Sequence, residues 1–145
     1  MNMTFRNNSL CRILQLWEIK RFNLNDDILE IGSSKTSKNS FTKSLKVKKD
    51  QICDFADKFE KNSIKIDLEK KLNIKSYKYK NIICFNVLEH IYDTGNAINE
   101  ISRIMKKKGI FIGSTPFLYR VHGAPNDYLR FTSQFLEKKI NKSFR

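Results

Sequence analysis

Short apolar runs alternate along the chain with polar or amphipathic stretches. Apolar runs of roughly four to eight residues between turn-forming residues are typical of strands, and apolar residues at three- and four-residue spacing are typical of helices. The pattern predicts strands within 27–34, 51–56, 63–68, 81–87 and 110–114, and helices at 9–22, 93–108 and 132–141. A helix over 35–49 is expected from topology alone, since that stretch is polar and rich in Ser, Thr and Lys.

Strands that alternate with helices predict an α/β fold with a doubly wound, mainly parallel sheet. Right-handed crossovers between parallel strands put helices on both faces of such a sheet. We expect a single domain over 1–145, with an N-terminal helical flap at 1–25, a core at 26–115, and a loop and last helix at 116–145. The flap is expected to lie across the sheet.

Composition adds one unusual property, a net charge of +13 from 28 Lys and Arg against 15 Asp and Glu. A hydrophobic content of 40% is ordinary for a globular protein, so the chain is expected to fold. The lysines are spread over 35–49, 58–80 and 106–108 without forming one tract, which favours a solvated surface over a nucleic-acid interface. An RNA-binding module stays open as an alternative.

The three cysteines, Cys11, Cys53 and Cys84, are odd in number and far apart. Their spacing indicates neither a disulfide framework nor a zinc site, and no metal site is predicted. No segment approaches the roughly 20 apolar residues of a membrane span. We therefore expect a reduced, cytoplasmic protein without a membrane span.

Polar side chains recur at the predicted carboxyl ends of the strands. In a doubly wound sheet these ends line one crevice, where ligands bind. The residues concerned are Glu30 with Gly32, then Asp54, then Asp67, and finally Asn86 with Glu89 and His90.

The spacing of these residues favours a nucleoside as the ligand. Asp54 follows Gly32 by about 20 residues, the separation at which an acid meets a ribose diol. Asp57, three residues further on, is the alternative for this role. The turn after Gly32 lacks the further glycines of a dinucleotide fingerprint, which argues against a pyrophosphate.

Five segments together resemble the class I S-adenosylmethionine-dependent methyltransferases, within the type 11 group that acts on small molecules. The resemblance runs from about Asp26 to Phe135 and implies a Rossmann-like fold and S-adenosylmethionine as the cofactor. The segments are Ile-Leu-Glu-Ile-Gly-Ser, Asp-Phe-Ala, Asp-Leu-Glu, Asn-Val-Leu-Glu-His and Lys-Lys-Gly-Ile-Phe-Ile-Gly-Ser-Thr-Pro.

The resemblance also implies a role for each matching residue. Glu30, Gly32 and Ser33 would border the methionine part of the cofactor, and Asp54 and Phe55 would meet the ribose and the adenine. Asp67 and Leu68 would hydrogen-bond the adenine, although Asp67 alone could be a helix cap. Asn86, Val87 and the residues up to His90 would lie beneath the sulfonium.

The segment 116–131 follows the fifth predicted strand and is rich in aromatic and charged residues. Similar segments occur in methyltransferases of this group, which implies a wall for the acceptor. An oxygen acceptor needs a base, and His122 is the candidate by its side-chain pKa range. The alternative is structural: Asp127 and Arg130 would pair, and Tyr128 and Phe131 would pack, to fold the loop down.

Complete members of the family end in an antiparallel strand pair, which this sequence lacks. We expect a truncated chain, or one whose fifth strand is covered by a second copy or a partner chain. The leading prediction is methyl transfer to a small molecule, such as a sugar or a lipid-linked intermediate. A cofactor-binding fragment without turnover and a basic RNA-directed methyltransferase are the alternatives.

Overall fold

The computed structural model describes residues 9–48, 50–123 and 126–144. Five strands form one sheet in the order β3-β2-β1-β4-β5, and every neighbouring pair is parallel. This confirms the predicted doubly wound sheet. The strands are β1 (Ile28–Ile31), β2 (Cys53–Asp57), β3 (Ile64–Lys65), β4 (Tyr79–Phe85) and β5 (Met105–Ser114).

Within the described residues, three α-helices cover the sheet. They are α1 (Leu10–Ile19), α2 (Thr94–Ile104) and α3 (Ser133–Ser143), and 3-10 turns lie at Thr42–Ser44 and Leu88–His90. Ser9, Asp93 and Thr132 cap the three helices, each accepting a hydrogen bond from a backbone amide three residues on. Because α2 and α3 pack on one face and α1 packs on the other, both faces of the sheet are covered.

Alternate residues of β1 enter two hydrophobic clusters, one on each face of the sheet. Leu29 and Ile31 pack with α2, whereas Ile28 packs with Ile19 at the end of α1. All four residues of β1 are buried, as expected for a central strand. This double burial fixes the register of the strand and therefore the position of the turn that follows it.

The helix expected over Lys35–Lys49 is wrong for the described residues of that range, since only Thr42–Ser44 is helical there; Lys49 lies outside them. The buried Glu30 carboxylate accepts hydrogen bonds from Ser40 Oγ at 2.7 Å and from the amides of Phe41 and Thr42 at 2.8 and 2.9 Å. In the middle of a regular helix the amides of Phe41 and Thr42 would donate to helix carbonyls. Because they donate to Glu30, the segment forms a loop around this carboxylate.

The boundary between α2 and β5 was also predicted too late. Helix α2 ends at Ile104, and the lysines at 106–108 belong to β5. Met105 pairs with Tyr79, and Lys78 N donates to Ile104 O at 2.8 Å, so pairing with β4 starts before Gly109. Tertiary pairing overrides the helix propensity of the lysines.

Helix α1 carries exposed apolar residues, because Leu10, Leu14 and Trp17 are each more than half exposed. Gln15, on the inner side, donates hydrogen bonds to Ser114 Oγ at 2.7 Å and to Asn86 Oδ1 at 3.1 Å. The helix therefore reaches the carboxyl ends of β4 and β5. Across the described ranges, no helix is long and apolar enough to cross a membrane.

Candidate functional site

A cavity of about 430 Å³ lies at the carboxyl ends of β1, β2 and β4, where the strand order reverses direction. This is where open α/β sheets bind ligands, and the volume suits a small organic molecule. The lining residues are Ile31, Gly32, Asp57, Lys58, Phe59, Glu60, Ile66, Asp67, Leu68, Glu69, Asn86, Val87, His90, Ile91, Asn126 and Tyr128.

Gly32 makes the turn out of β1 and leaves no room for a side chain. Its φ is +80°, and a Cβ built on it would lie 2.4 Å from Val87 Cγ2. Both the backbone conformation and the close approach of Val87, in the turn after β4, therefore require glycine. Without a side chain, the backbone of the turn forms part of the cavity wall.

Asn86 makes the corresponding turn out of β4 with a φ of +54°. Asparagine tolerates this left-handed conformation better than most residues. Its amide donates to Ser114 O at 2.8 Å, and its side-chain oxygen accepts from Gln15. These contacts from β5 and α1 hold Asn86 and Val87 against the cavity.

The structure separates Asp54 from the cavity and brings Asp57 into it. Asp54 lies three residues before the end of β2, about 10 Å short of the crevice at the usual rise of a strand. Its carboxylate accepts from Tyr79 Oη at 2.5 Å and from Lys78 Nζ at 3.1 Å. With Phe55, it lines a different cavity of about 300 Å³. Asp54 and Phe55 therefore lie outside the lining of the cavity at the strand ends, and their assignment to the ribose and the adenine stays a prediction.

Asp57 ends β2 and places a carboxylate in the lining of the cavity. Its Oδ1 accepts from the amides of Phe59 and Glu60 at 2.7 and 2.9 Å, which fixes the side chain at the edge of the cavity. The second oxygen is left for a ligand. A strand that runs three residues past Asp54 is the signal that could have identified Asp57.

Asp67 and Leu68 follow β3 and line the cavity as predicted. The Lys58 ammonium, 2.9 Å from Asp67 Oδ2, is the main cause of a lowered pKa for the Asp67 carboxyl. Leu68 is buried, and its carbonyl accepts from Asn96 Nδ2 at 2.8 Å. Asp67 therefore offers a charged hydrogen-bond acceptor, and the fixed backbone at Leu68 lies next to it in the lining of the cavity.

Glu30 and Ser33 are buried but lie outside the lining of the cavity. Both oxygens of Glu30 are used by the loop at 40–42, so the acid organises the turn region instead of facing a ligand. Ser33 Oγ has no hydrogen-bond partner within 9–48, 50–123 and 126–144. Of these two predicted residues, Ser33 alone keeps an uncommitted polar group.

In the segment 116–131, the predicted pair between Asp127 and Arg130 is formed, with a separation of 2.7 Å between Oδ2 and Nη2. The guanidinium holds the pKa of the Asp127 carboxyl well below its usual range. Asp127 Oδ2 also accepts from the His122 amide at 2.9 Å and lies 3.0 Å from His122 Nδ1. The segment is therefore folded around a charged centre; Ala124 and Pro125 lie outside the described residues.

Phe131 packs into the core and stacks on Phe135, whereas Tyr128 packs edge-on against Tyr92 and lines the cavity. The predicted packing of both aromatic residues is confirmed. Tyr128 thus combines a structural contact with a position at the cavity, which the sequence did not reveal. Asn126 joins it there.

His90 and His122 meet at the boundary between the cavity and this segment. Their rings are 5.1 Å apart and nearly perpendicular, and Tyr119 packs edge-on against His122. His90 lines the cavity, but His122 does not. Burial raises the pKa of the neighbouring Glu89 carboxyl, whose residue is fully buried.

Residues 42–113 match the family model of the type 11 methyltransferase domain. No curated protein matches the chain. Among solved structures, an S-adenosylmethionine-dependent methyltransferase of Thermotoga maritima, described as a possible histamine N-methyltransferase, shares 18% identity with a TM-score of 0.71. The alignment covers 91% of this chain and 70% of that one.

Two further structures have the same fold at lower identity. The Haloferax volcanii protein in complex with the Trm112 methyltransferase activator shares 13% identity (TM-score 0.68; 96% of this chain, 69% of that). The Haemonchus contortus phosphoethanolamine N-methyltransferase 2, bound to phosphomonomethylethanolamine and S-adenosylhomocysteine, shares 13% (TM-score 0.63; 96% and 39%). At such identities the likeness concerns the fold. The chain spans from 39% to 70% of these three proteins.

Proposed function

Because the chain belongs to the S-adenosylmethionine-dependent methyltransferases of type 11, we propose that it binds S-adenosylmethionine in the 430 Å³ cavity and transfers its methyl group to a small-molecule acceptor. The observation that carries this proposal is the set of groups at the strand ends. A side-chain-free turn at Gly32, a carboxylate at Asp57 and a second one at Asp67 surround an apolar cavity.

These groups fit a nucleoside without phosphates. Asp57 has an oxygen available for the ribose hydroxyls, and a carboxylate there would repel a phosphate. Asp67 is an acceptor suited to the adenine amino group, and its pairing with Lys58 keeps it ionised. Ile66 and Leu68 supply apolar contact for the base.

The methionine end of the cofactor belongs at the turns of β1 and β4. Gly32 and Asn86 offer backbone groups there, and Ser33 Oγ is an uncommitted polar atom close in sequence. Glu30, which is held by the loop at 40–42, acts through that loop rather than by contact. Its role is to position the turn.

When bound, S-adenosylmethionine supplies a methyl group activated by its sulfonium. The protein's task is to align the acceptor with that group and to exclude water. His122 is the candidate base for an oxygen acceptor, because the Asp127 carboxylate, held by Arg130, lies 3.0 Å from its Nδ1 and would stabilise the protonated imidazole. His90 separates this imidazole from the cavity, so the acceptor has to approach past His90.

The acceptor class we favour is a small molecule, such as a sugar or a lipid-linked intermediate. Supporting this, the segment before His122 exposes Phe117, Leu118 and Tyr119 beside Arg120, which suits a partly apolar ligand with an anionic group. The Haemonchus contortus relative is bound to a small phosphorylated amine. In the described residues β5 pairs only with β4, so a partner chain or a second copy could add at its outer edge.

Calorimetric titration with S-adenosylmethionine tests the proposal, with Asp57→Asn as the variant and Asp54→Asn as its matched control in the same strand. Loss of a charged hydrogen-bond acceptor costs about 1.5–3 kcal/mol, so Asp57→Asn should weaken binding roughly ten- to hundredfold. Asp54→Asn should change it less than about twofold. Absence of binding by the unmodified chain would refute the proposed function, and the reverse order of the variants would restore Asp54 as the ribose ligand.

A further inference from the structure

Glu89 is the one residue of the described chain whose carboxylate is fully buried with neither oxygen in a hydrogen bond to any residue within 9–48, 50–123 and 126–144. An isolated buried carboxylate is strongly unfavourable, so such groups are normally paired or bound to a metal. Protonation alone does not resolve the problem, since the resulting hydroxyl also needs an acceptor. A cation beside the carboxylate would compensate its buried charge.

Two imidazoles face this carboxylate. His90 Nε2 lies 3.7 Å from Glu89 Oε1, and donor atoms of Glu89, His90 and His122 all lie within 4.8 Å of one another. Ligands bound tetrahedrally at about 2.1 Å from a metal are about 3.4 Å apart. Side-chain movements of about 1 Å would therefore bring the three donor atoms to coordinating distance of one ion.

An oxygen atom lies beside Nδ1 of each imidazole. His90 Nδ1 contacts the backbone carbonyl of Asn126, and His122 Nδ1 lies 3.0 Å from Asp127 Oδ2. The His90 contact favours a proton on Nδ1 of that ring and leaves its Nε2 lone pair available. This is the arrangement that orients histidine ligands in metal sites, including the carboxylate behind one of them.

We propose that Glu89, His90 and His122 bind one divalent transition-metal ion. Two neutral imidazoles and a carboxylate make a donor set that suits Zn²⁺ and its neighbours better than Mg²⁺. The amides of Tyr128 and Leu129 donate to Glu89 O at 2.8 and 3.2 Å, so the ion would join the Leu88–His90 turn to the segment that folds over it.

The ion would lie where that segment meets the cavity, because His90 lines the cavity and contacts His122. Three protein ligands leave a fourth position open for water or for an acceptor oxygen. This last use rests on the proposed methyl transfer, whereas the binding itself does not. A metal bound to the His122 imidazole would also take the place of His122 as the base for an oxygen acceptor.

Calorimetric titration of the purified, metal-stripped chain with ZnCl₂ and with MgCl₂ tests the site. We expect one Zn²⁺ per chain, with Mg²⁺ at least about tenfold weaker. Glu89→Gln and His122→Ala should each weaken Zn²⁺ binding by more than about tenfold. Cys11→Ser is the control, because the exposed thiol of Cys11 is an alternative zinc ligand, and this variant should bind as the unmodified chain does.

Three outcomes would overturn the proposal: no Zn²⁺ binding, binding that both variants retain, or binding that Cys11→Ser removes. Should a variant fail to fold, the absorption spectrum of the unmodified chain with Co²⁺ decides, since nitrogen and oxygen ligands give no thiolate charge-transfer band and cysteine ligands do. Titration of the same samples with S-adenosylmethionine distinguishes failure of the metal site from failure of the proposed function, because each ligand can bind without the other.

Discussion

Gly32→Ala isolates the contact on which the cavity depends. The substitution adds one methyl group at a φ of +80°, at a point 2.4 Å from Val87 Cγ2. Carbon atoms in contact are normally about 3.5–4.0 Å apart, so β1 and β4 would have to separate by about 1 Å or Val87 would have to leave its position. The turn and the strand packing are both perturbed.

The expected loss has two parts that can be measured separately. The left-handed conformation costs an alanine about 1–2 kcal/mol, and overpacking costs about 1–3 kcal/mol. Alanine also lowers the conformational entropy of the unfolded chain, which offsets about 0.5 kcal/mol of this loss. The free energy of unfolding should therefore fall by about 2–4 kcal/mol, a large share of the 5–15 kcal/mol typical of a domain.

Urea denaturation of a double-mutant cycle checks this partition. In the presence of Val87→Ala, which removes the methyl group that Gly32→Ala would strike, the cost of Gly32→Ala should drop to about 1–2 kcal/mol. Gly95→Ala is the control, because its Cβ would meet nothing closer than 3.4 Å in the first turn of α2 and alanine favours helix. An equal cost of Gly32→Ala with and without Val87→Ala would refute the steric explanation.

Three further predictions concern the framework around the cavity. Glu100→Gln should lower the free energy of unfolding by about 2 kcal/mol in urea, because the carboxylate accepts from Arg103 and from the Leu72 amide at 2.7 Å each. Arg103 lowers the pKa of Glu100 in the folded chain. The stabilisation should therefore be complete above pH 4.5 and should decline as the pH falls through the lowered pKa. The free energies of unfolding of the unmodified chain and of Glu100→Gln should approach each other over this fall in pH. Tyr79→Phe removes the hydroxyl that donates to Asp54, a hydroxyl whose pKa is raised by burial to about 12. The substitution should lower the free energy of unfolding by about 1 kcal/mol and leave the S-adenosylmethionine dissociation constant unchanged. A weakened affinity would show that Asp54 acts on the cofactor.

Local features of the sequence predicted much of the framework correctly. Helices were predicted at 93–108 and 132–141 from their apolar periodicity, and the side chains of Asp93 and Thr132 that cap α2 and α3 act over three residues and need no tertiary partner. The glycine after β1 was identified for the same reason, as a turn that only Gly makes freely. The alternation of strands and helices was sufficient for the parallel sheet.

The sequence pattern did not predict the exact ends of the strands. Period-two patterns indicate which residues share a face but not where pairing stops, so Asp54 and Asp57 could not be separated. Pairing of β2 with β1 extends to Ala56 and its pairing with β3 extends to Asp57, which puts the Asp57 carboxylate, not that of Asp54, at the crevice. The early start of β5 is the same effect, since Met105 pairs with Tyr79 across the sheet.

The sequence by itself determined the fold class, the glycine turn and the set of polar residues near the strand ends, since these follow from periodicity and from single-residue chemistry. Only the tertiary structure decided what each acid does. Glu30 is taken up by backbone amides ten or more residues away, and Glu89 meets His122 across 33 positions of chain. Contacts between residues so far apart depend on how the loops close over the sheet, which no local pattern encodes.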